Sequence, residues 1–160
     1  DPNPVMYFEH KYIYRTKSEE IPETYYTQEL GKAKIRSIGS DLTIITYGLG
    51  VHWALDSIKS FKKDSIEIID LNTLIPWDKE LVFNSIKKTG KVLLLSEDTL
   101  FNGYIGEISA TISEEIFEYL DAPILRVGSL DTPVPFASNL EKGFLSNSRL
   151  KEKLVKLLNF

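Results

Sequence analysis

The sequence contains no cysteine among its 160 residues. That absence removes disulfides, thiolate nucleophiles and thiolate metal sites together, and it fits a reducing compartment. Histidine is scarce too, with only His10 and His52, too few for a histidine-rich metal cluster. Strongly apolar stretches are short, as at Ile66–Leu71 and Val92–Leu95, and none approaches the ~18–20 residues that span a bilayer. Positive charge is not in excess: 19 Lys and Arg against 23 Asp and Glu leave a formal net charge of -4. A general nucleic-acid or membrane-surface binder needs a basic face, so that balance argues against both. The opening Asp1-Pro2-Asn3-Pro4 has neither the basic start nor the apolar stretch of a signal peptide. It also lacks an initiator methionine, so the chain reads as a piece of something larger.

What remains is the composition of one ordinary folded domain, 42% hydrophobic and 26% charged. A chain of about 150 residues buries roughly 70% of its unfolded surface, enough for a real core. Strand and helix periodicities alternate along it. Val5–Tyr14 is aromatic and β-branched enough to predict a strand, whereas residues 16–31, with Pro22, Gly31 and little periodicity, read as a linker. Leu42–Tyr47 is a buried strand, and Val51, Ala54, Leu55, Ile58 and Phe61 then share one helical face. A strand at Ser65–Leu71 leads to a helix capped by Asp78 and closed by Gly90. Lys91–Ser96 is a third buried strand. A long helix follows through Ile105, Ile108, Ile112, Ile116 and Tyr119, then a strand over Ile124–Val127, an irregular stretch at 129–146, and a final helix with Leu150, Leu154, Leu157 and Leu158. Strand and helix alternating in this way predict a parallel sheet with helices on both faces.

Local motifs give little chemistry. Gly48-Leu49-Gly50 lies between a strand and a helix, and Asp70 ends the next strand, as in a dinucleotide-binding unit. Trp53 stands where the third glycine of that fingerprint belongs, so a plain tight turn is the competing reading. Glu97 and Asp98 follow the third strand, where a base or metal ligand could sit, or where acids merely cap a helix. His10 and His52 have no acid–nucleophile partner at a recognisable spacing.

Longer strings carry more. DPNPVMYFEHKYIYR (1–15), GSDLTIITYGLGVHWAL (39–55), IEIIDLNTLIPWD (66–78), KKTGKVLLLSED (87–98), LDAPILRVGSLDTPVPFA (120–137) and the terminal LNF resemble, in order, the C-terminal part of the β chain of thiamine-diphosphate-dependent 2-oxo-acid dehydrogenases. IDLNTLIPWD is most similar to the branched-chain (2-oxoisovalerate) members; a pyruvate-type member is the alternative. The resemblance implies that 1–15 is the last strand of a preceding pyrimidine-binding domain, 16–31 a connector, and 32–160 a transketolase C-terminal-like domain. The implied fold is a three-layer α/β/α sandwich with a mostly parallel sheet and an antiparallel edge strand near Lys32–Ser37.

For function, the resemblance implies a cytoplasmic multienzyme complex that decarboxylates a 2-oxo acid on thiamine diphosphate and passes the acyl group to lipoamide. The family's diphosphate-binding segment and activating glutamate match nothing here and would lie upstream of Asp1. The isolated chain is therefore expected to bind no thiamine diphosphate, to hold no metal and to turn over nothing. Its implied work is assembly: pairing with its own copy around a twofold, and docking the basic subunit-binding domain of the dihydrolipoyl acyltransferase. The docking positions carried over are Asp121, in Leu120-Asp121-Ala122-Pro123, and Phe160, with its terminal carboxylate. Trp77 and Asp131, Pro133, Pro135 and Phe136 are candidates for the copy interface. The sequence departs from the family at Ser96, where many members have histidine, at Asn72, usually arginine, and at Asn102-Gly103, commonly a glycine pair. A nucleotide-binding enzyme domain using Gly48, Gly50 and Asp70 is the reading from a different class.

Overall fold

The computed structural model of the chain describes residues 2–160. Five strands form one sheet: β1 (Lys34–Ser37), β2 (Leu42–Thr46), β3 (Ile66–Asp70), β4 (Val92–Thr99) and β5 (Leu125–Ser129). Their spatial order is β1-β3-β2-β4-β5. The last four strands are parallel, and β1 closes one edge antiparallel to β3, with Lys34 opposite Asp70 and Ile35 opposite Ile69. The expected antiparallel edge strand is therefore present.

Parallel strands covered on both faces need apolar residues at consecutive positions. Ile44 and Ile45 are both fully buried, as are Ile68 and Ile69, yet they enter different cores because successive side chains point to opposite faces. Ile44, Ile68, Leu93 and Leu95 pack with Ala54 of α2 (Leu49–Ile58) and Leu150, Leu154 and Leu157 of α6 (Asn147–Leu158). On the other face, Ile45, Ile69 and Leu94 meet Val82 and Ile86 of α3 (Lys79–Thr89) and Ile105, Ile108 and Ile112 of α4 (Ile105–Glu115). Two helices, a sheet and two helices make the three layers.

Two helix ends follow the local rules. Asp78 caps α3, one carboxylate oxygen accepting from the Leu81 amide at 3.1 Å and the other from the Ala33 amide at 3.1 Å. Gly90 ends α3 at φ 66°, a left-handed conformation that favours glycine. A buried polar chain then ties α3 to the sheet. The Glu67 carboxylate, in a residue 1% exposed, accepts from Ser85 Oγ and Lys88 Nζ at 2.5 Å each, and Thr43 links Ser85 to Thr89. A buried carboxylate left without such partners would be strongly destabilising.

Three sequence expectations need correction. Residues 5–14 form no strand: they are irregular up to a single helical turn, α1 (Ile13–Thr16). Strand propensity needs a free edge to pair with, and the arm meets none. The long helix stops at Glu115, followed by a 3₁₀ turn at Phe117–Tyr119. The stretch read as irregular contains α5 (Ser138–Phe144), in which only Phe144 is buried, so no apolar periodicity announces it.

Candidate functional site

At the carboxyl ends of the strands, the glycines after β2 serve packing. Gly48 takes φ 56° to start the turn, and Leu49 and Gly50 are buried. A Cβ at Gly50 would lie 2.1 Å from Thr46 Oγ1, so glycine is required for close helix–strand contact. Trp53 packs against the core shared by α2 and α6. The Gly50 amide donates to the Tyr47 carbonyl at 3.2 Å and the Val51 amide to the Gly48 carbonyl at 3.3 Å, so two amides of this segment are used within the turn, where a diphosphate site would leave them free. Asp70 ends β3 as the spacing anticipates, but burial raises its pKa, opposed by the Asn72 amide donating at 3.3 Å. Asn72, in the place of the family's arginine, gives its side-chain amide to the Lys32 carbonyl at 3.4 Å. The described residues contain no group of three or more His, Asp or Glu able to hold a metal ion.

Ser96 is buried and ties two elements together. Its Oγ lies 3.0 Å from Tyr47 Oη and accepts from the Asp98 amide at 3.0 Å. Burial raises the Tyr47 pKa, with the Ser96 hydrogen bond opposing. Glu97 and Asp98 do not cap α4, whose first turn has no side-chain cap. Asp98 instead accepts from the Thr99 amide, and Glu97 meets His10 Nε2 at 2.8 Å. That contact is the first of several fixing the arm, followed by Lys17–Asp56 at 3.9 Å and Glu19–Arg36 at 2.6 Å. His52 lies beneath this crossing. Burial lowers its pKa, reinforced by the cationic Lys17 and Arg36.

The amino end of the sheet brings the two carried-over docking residues onto one bracket. The Asp121 amide donates to the Gly90 carbonyl at 2.8 Å, and its carboxylate lies against Gly90 Cα, 2.1 Å from where a Cβ would stand. The next residue, Lys91, donates from Nζ to the Leu158 carbonyl at 3.3 Å, two residues before Phe160. Asp121 and Phe160 are both exposed. Among the described residues neither the Asp121 carboxylate nor the chain-terminal carboxylate enters an ion pair. Sequence reasoning named the two carboxylates but missed Gly90 and Lys91 as their link; the signal available was only that KTGK turns sharply between helix and strand.

The interface candidates divide. Trp77 is half-buried, edge-on to Phe83 at 5.9 Å and packed against the core on the α3 side. Asp131 accepts from the Phe101 amide at 2.9 Å, bracing its loop. Pro133 and Phe136 are exposed and Pro135 half-buried. With Leu130, Val134 and Leu140 they form an apolar surface on and beside α5.

Fold and site together define the class: a five-stranded α/β/α domain whose amino end presents, among the described residues, two carboxylates outside any ion pair. The model of the transketolase C-terminal domain matches residues 31–149, and the chain belongs to that family. Within it, the sequence is 44% identical over 92% of its length to the 2-oxoisovalerate dehydrogenase subunit beta of Bacillus subtilis, of which it covers 46%. It is 42% identical over 98% of its length to the pyruvate dehydrogenase E1 component subunit beta of Mycoplasma pneumoniae, covering 49% of that protein. A solved split-gene transketolase, described as an inactive beta4 tetramer, superposes with a TM-score of 0.69 at 26% identity, over 87% of this chain and 46% of that one. The chain thus spans about half the length of the curated relatives it matches, and its resemblance to 2-oxo-acid dehydrogenase β chains stands. No helix among the described residues is long and apolar enough to cross a membrane.

Proposed function

We propose that this chain is the assembly domain of a 2-oxo-acid dehydrogenase β chain, working without catalytic residues of its own. It pairs with a second copy and docks the subunit-binding domain of a dihydrolipoyl acyltransferase. The observation that carries this reading is the pair of exposed, unpaired carboxylates at Asp121 and Phe160, both referenced to Gly90-Lys91. A net charge of -4 favours a cationic partner, speeding encounter and making binding salt-sensitive. Exposed Leu130, Val134, Phe136 and Leu140, on and beside α5, support an apolar pairing surface there. That the family's diphosphate-binding segment has no match in this chain supports placing thiamine diphosphate and the 2-oxo acid in the remainder of the enzyme.

The substrate is a branched-chain 2-oxo acid on the strength of the IDLNTLIPWD string and the 2-oxoisovalerate relative. The pyruvate-type reading is favoured by a relative of nearly equal identity that covers more of the chain. Turnover of 2-oxoisovalerate against pyruvate by the assembled complex separates the two.

Docking is tested by calorimetry with the cognate subunit-binding domain at low salt, comparing the unaltered chain, Asp121→Ala and a chain lacking Asn159 and Phe160. Truncating one side of a desolvated charge pair costs about 2–5 kcal/mol, so both variants are expected to bind at least about thirtyfold more weakly. A domain that docks across a twofold takes up one partner per two chains. Unchanged affinity in both variants removes the docking site from the account, and a one-to-one stoichiometry removes the twofold.

A further inference from the structure

The two carboxylates come from elements far apart in sequence, yet both are positioned by adjacent residues in the turn between α3 and β4. The Gly90 carbonyl accepts from the Asp121 amide, and a Cβ at Gly90 would crowd the Asp121 side chain as it now stands. Lys91 reaches the other way. The last carbonyls of a helix have no amide partners within it, and the Lys91 ammonium donates to that of Leu158 at the end of α6. A cation there also opposes the negative end of the helix dipole. Lys91 is half-buried and is in no ion pair among the described residues, so its charge is committed to a carbonyl. Beside it lies a cavity of about 610 Å³ lined by Asp41, Phe61, Lys62, Ser65, Thr89, Lys91 and Leu158, which places the Lys91–Leu158 contact next to an accessible hollow.

We infer that Lys91 is a positioning residue for docking: it fixes the end of α6 so that the Phe160 carboxylate stands at a set distance from Asp121, presenting both to one cationic partner. This rests on the docking reading above. The inference makes a prediction of opposite sign to simple electrostatics. Removing a lysine makes the face more negative, so charge alone calls for tighter binding of a basic domain. Loss of positioning calls for weaker binding.

The experiment is calorimetry of the whole chain with the cognate acyltransferase subunit-binding domain at low salt, using Lys91→Met, Lys91→Arg, Asp121→Ala, a chain whose Phe160 carboxylate is converted to the amide, and Lys91→Met in that amidated chain. Lys91→Met is expected to bind about five- to tenfold more weakly, the size of one ordinary hydrogen bond's net contribution. Lys91→Arg, which keeps a donor and the charge, restores affinity to within about twofold. In the amidated chain, Lys91→Met causes no further loss, because no terminal carboxylate is left for it to position. If Lys91→Met fails to fold, Lys91→Leu, which is apolar and also lacks a donor, carries the same comparison. Equal or tighter binding by the Lys91 variant while Asp121→Ala weakens overturns the inference and leaves docking intact. A full Lys91→Met loss in the amidated chain also overturns it. Unchanged affinity in both Asp121→Ala and the amidated chain overturns docking itself, and the inference with it.

Discussion

The arm of residues 2–31 and the domain that follows are both rich in large apolar side chains, yet they are held by different forces. In the domain, Ile44, Ile45, Ile68, Ile69 and Leu93–Leu95 are fully buried. In the arm, Met6, Tyr7, Phe8, Tyr14 and Tyr25 are exposed, and the chain is pinned by polar contacts instead: His10–Glu97, Lys17–Asp56, Glu19–Arg36 and Lys34–Gln28. Apolar content is therefore not what makes a core. A segment contributes to one only where its periodicity matches a facing surface that needs cover, and the arm has no such surface within this chain.

The largest effect that tests this contrast comes from matched truncations. Leu94→Ala deletes a fully buried side chain from the core on the α3–α4 side and is expected to lower stability by about 2–5 kcal/mol. Phe8→Ala removes an even larger side chain from the arm and is expected to change stability by less than about 0.5 kcal/mol. Denaturant unfolding of both variants reads the difference, and a comparable loss from Phe8→Ala would place the arm in the cooperative fold.

A smaller effect is expected at the arm's first anchor. Glu97→Gln keeps the shape of the side chain but removes the carboxylate facing His10. Exposed ion pairs contribute about 0–1 kcal/mol, so global stability should barely move, while hydrogen exchange over residues 5–16 should speed up relative to β2 and β4. Exchange that stays unchanged in the arm would show that it is held by something other than this contact.

The smallest effect is a pH dependence arising where arm and domain meet. Burial and the neighbouring Lys17 and Arg36 lower the His52 pKa below its ordinary 6.5. Below pH 6.5 the unfolded chain takes up that proton before the folded one does, so this group's contribution is intact above 6.5 and is lost as the pH falls toward the folded value. Thermal melting between about pH 7.5 and about pH 5.5 should show a decline that His52→Asn reduces. A steeper decline in the variant would reverse the sign of the assignment.

Much of the fold is legible in the sequence because its signals are local. Asp78 announces a helix start through its own carboxylate, Gly90 a helix end through its missing side chain, and the apolar runs at 42–46 and 92–95 a sheet covered on both faces. What the sequence hides is non-local. Residues 5–14 have strand chemistry, but strand formation depends on a partner edge. α5 escapes notice because Leu140 faces solvent and only Phe144 is buried. The candidate site was half-visible: Asp121 and Phe160 come with the resemblance, whereas Gly90 and Lys91 gain their meaning only once a turn at residue 90 is found touching residues 121 and 158. Ser96 likewise shows its partners, Tyr47 and the Asp98 amide, only in three dimensions.

Strand β4 begins beside Lys91 and passes Glu97 near its other end. At about 3.3 Å per residue, those two positions lie about 20 Å apart along one rigid rod, with the arm anchored at one end and the carboxylate face at the other. The two attachments consequently draw on separate solvent and separate counterions. A side chain altered at one end has no steric reason to disturb the other.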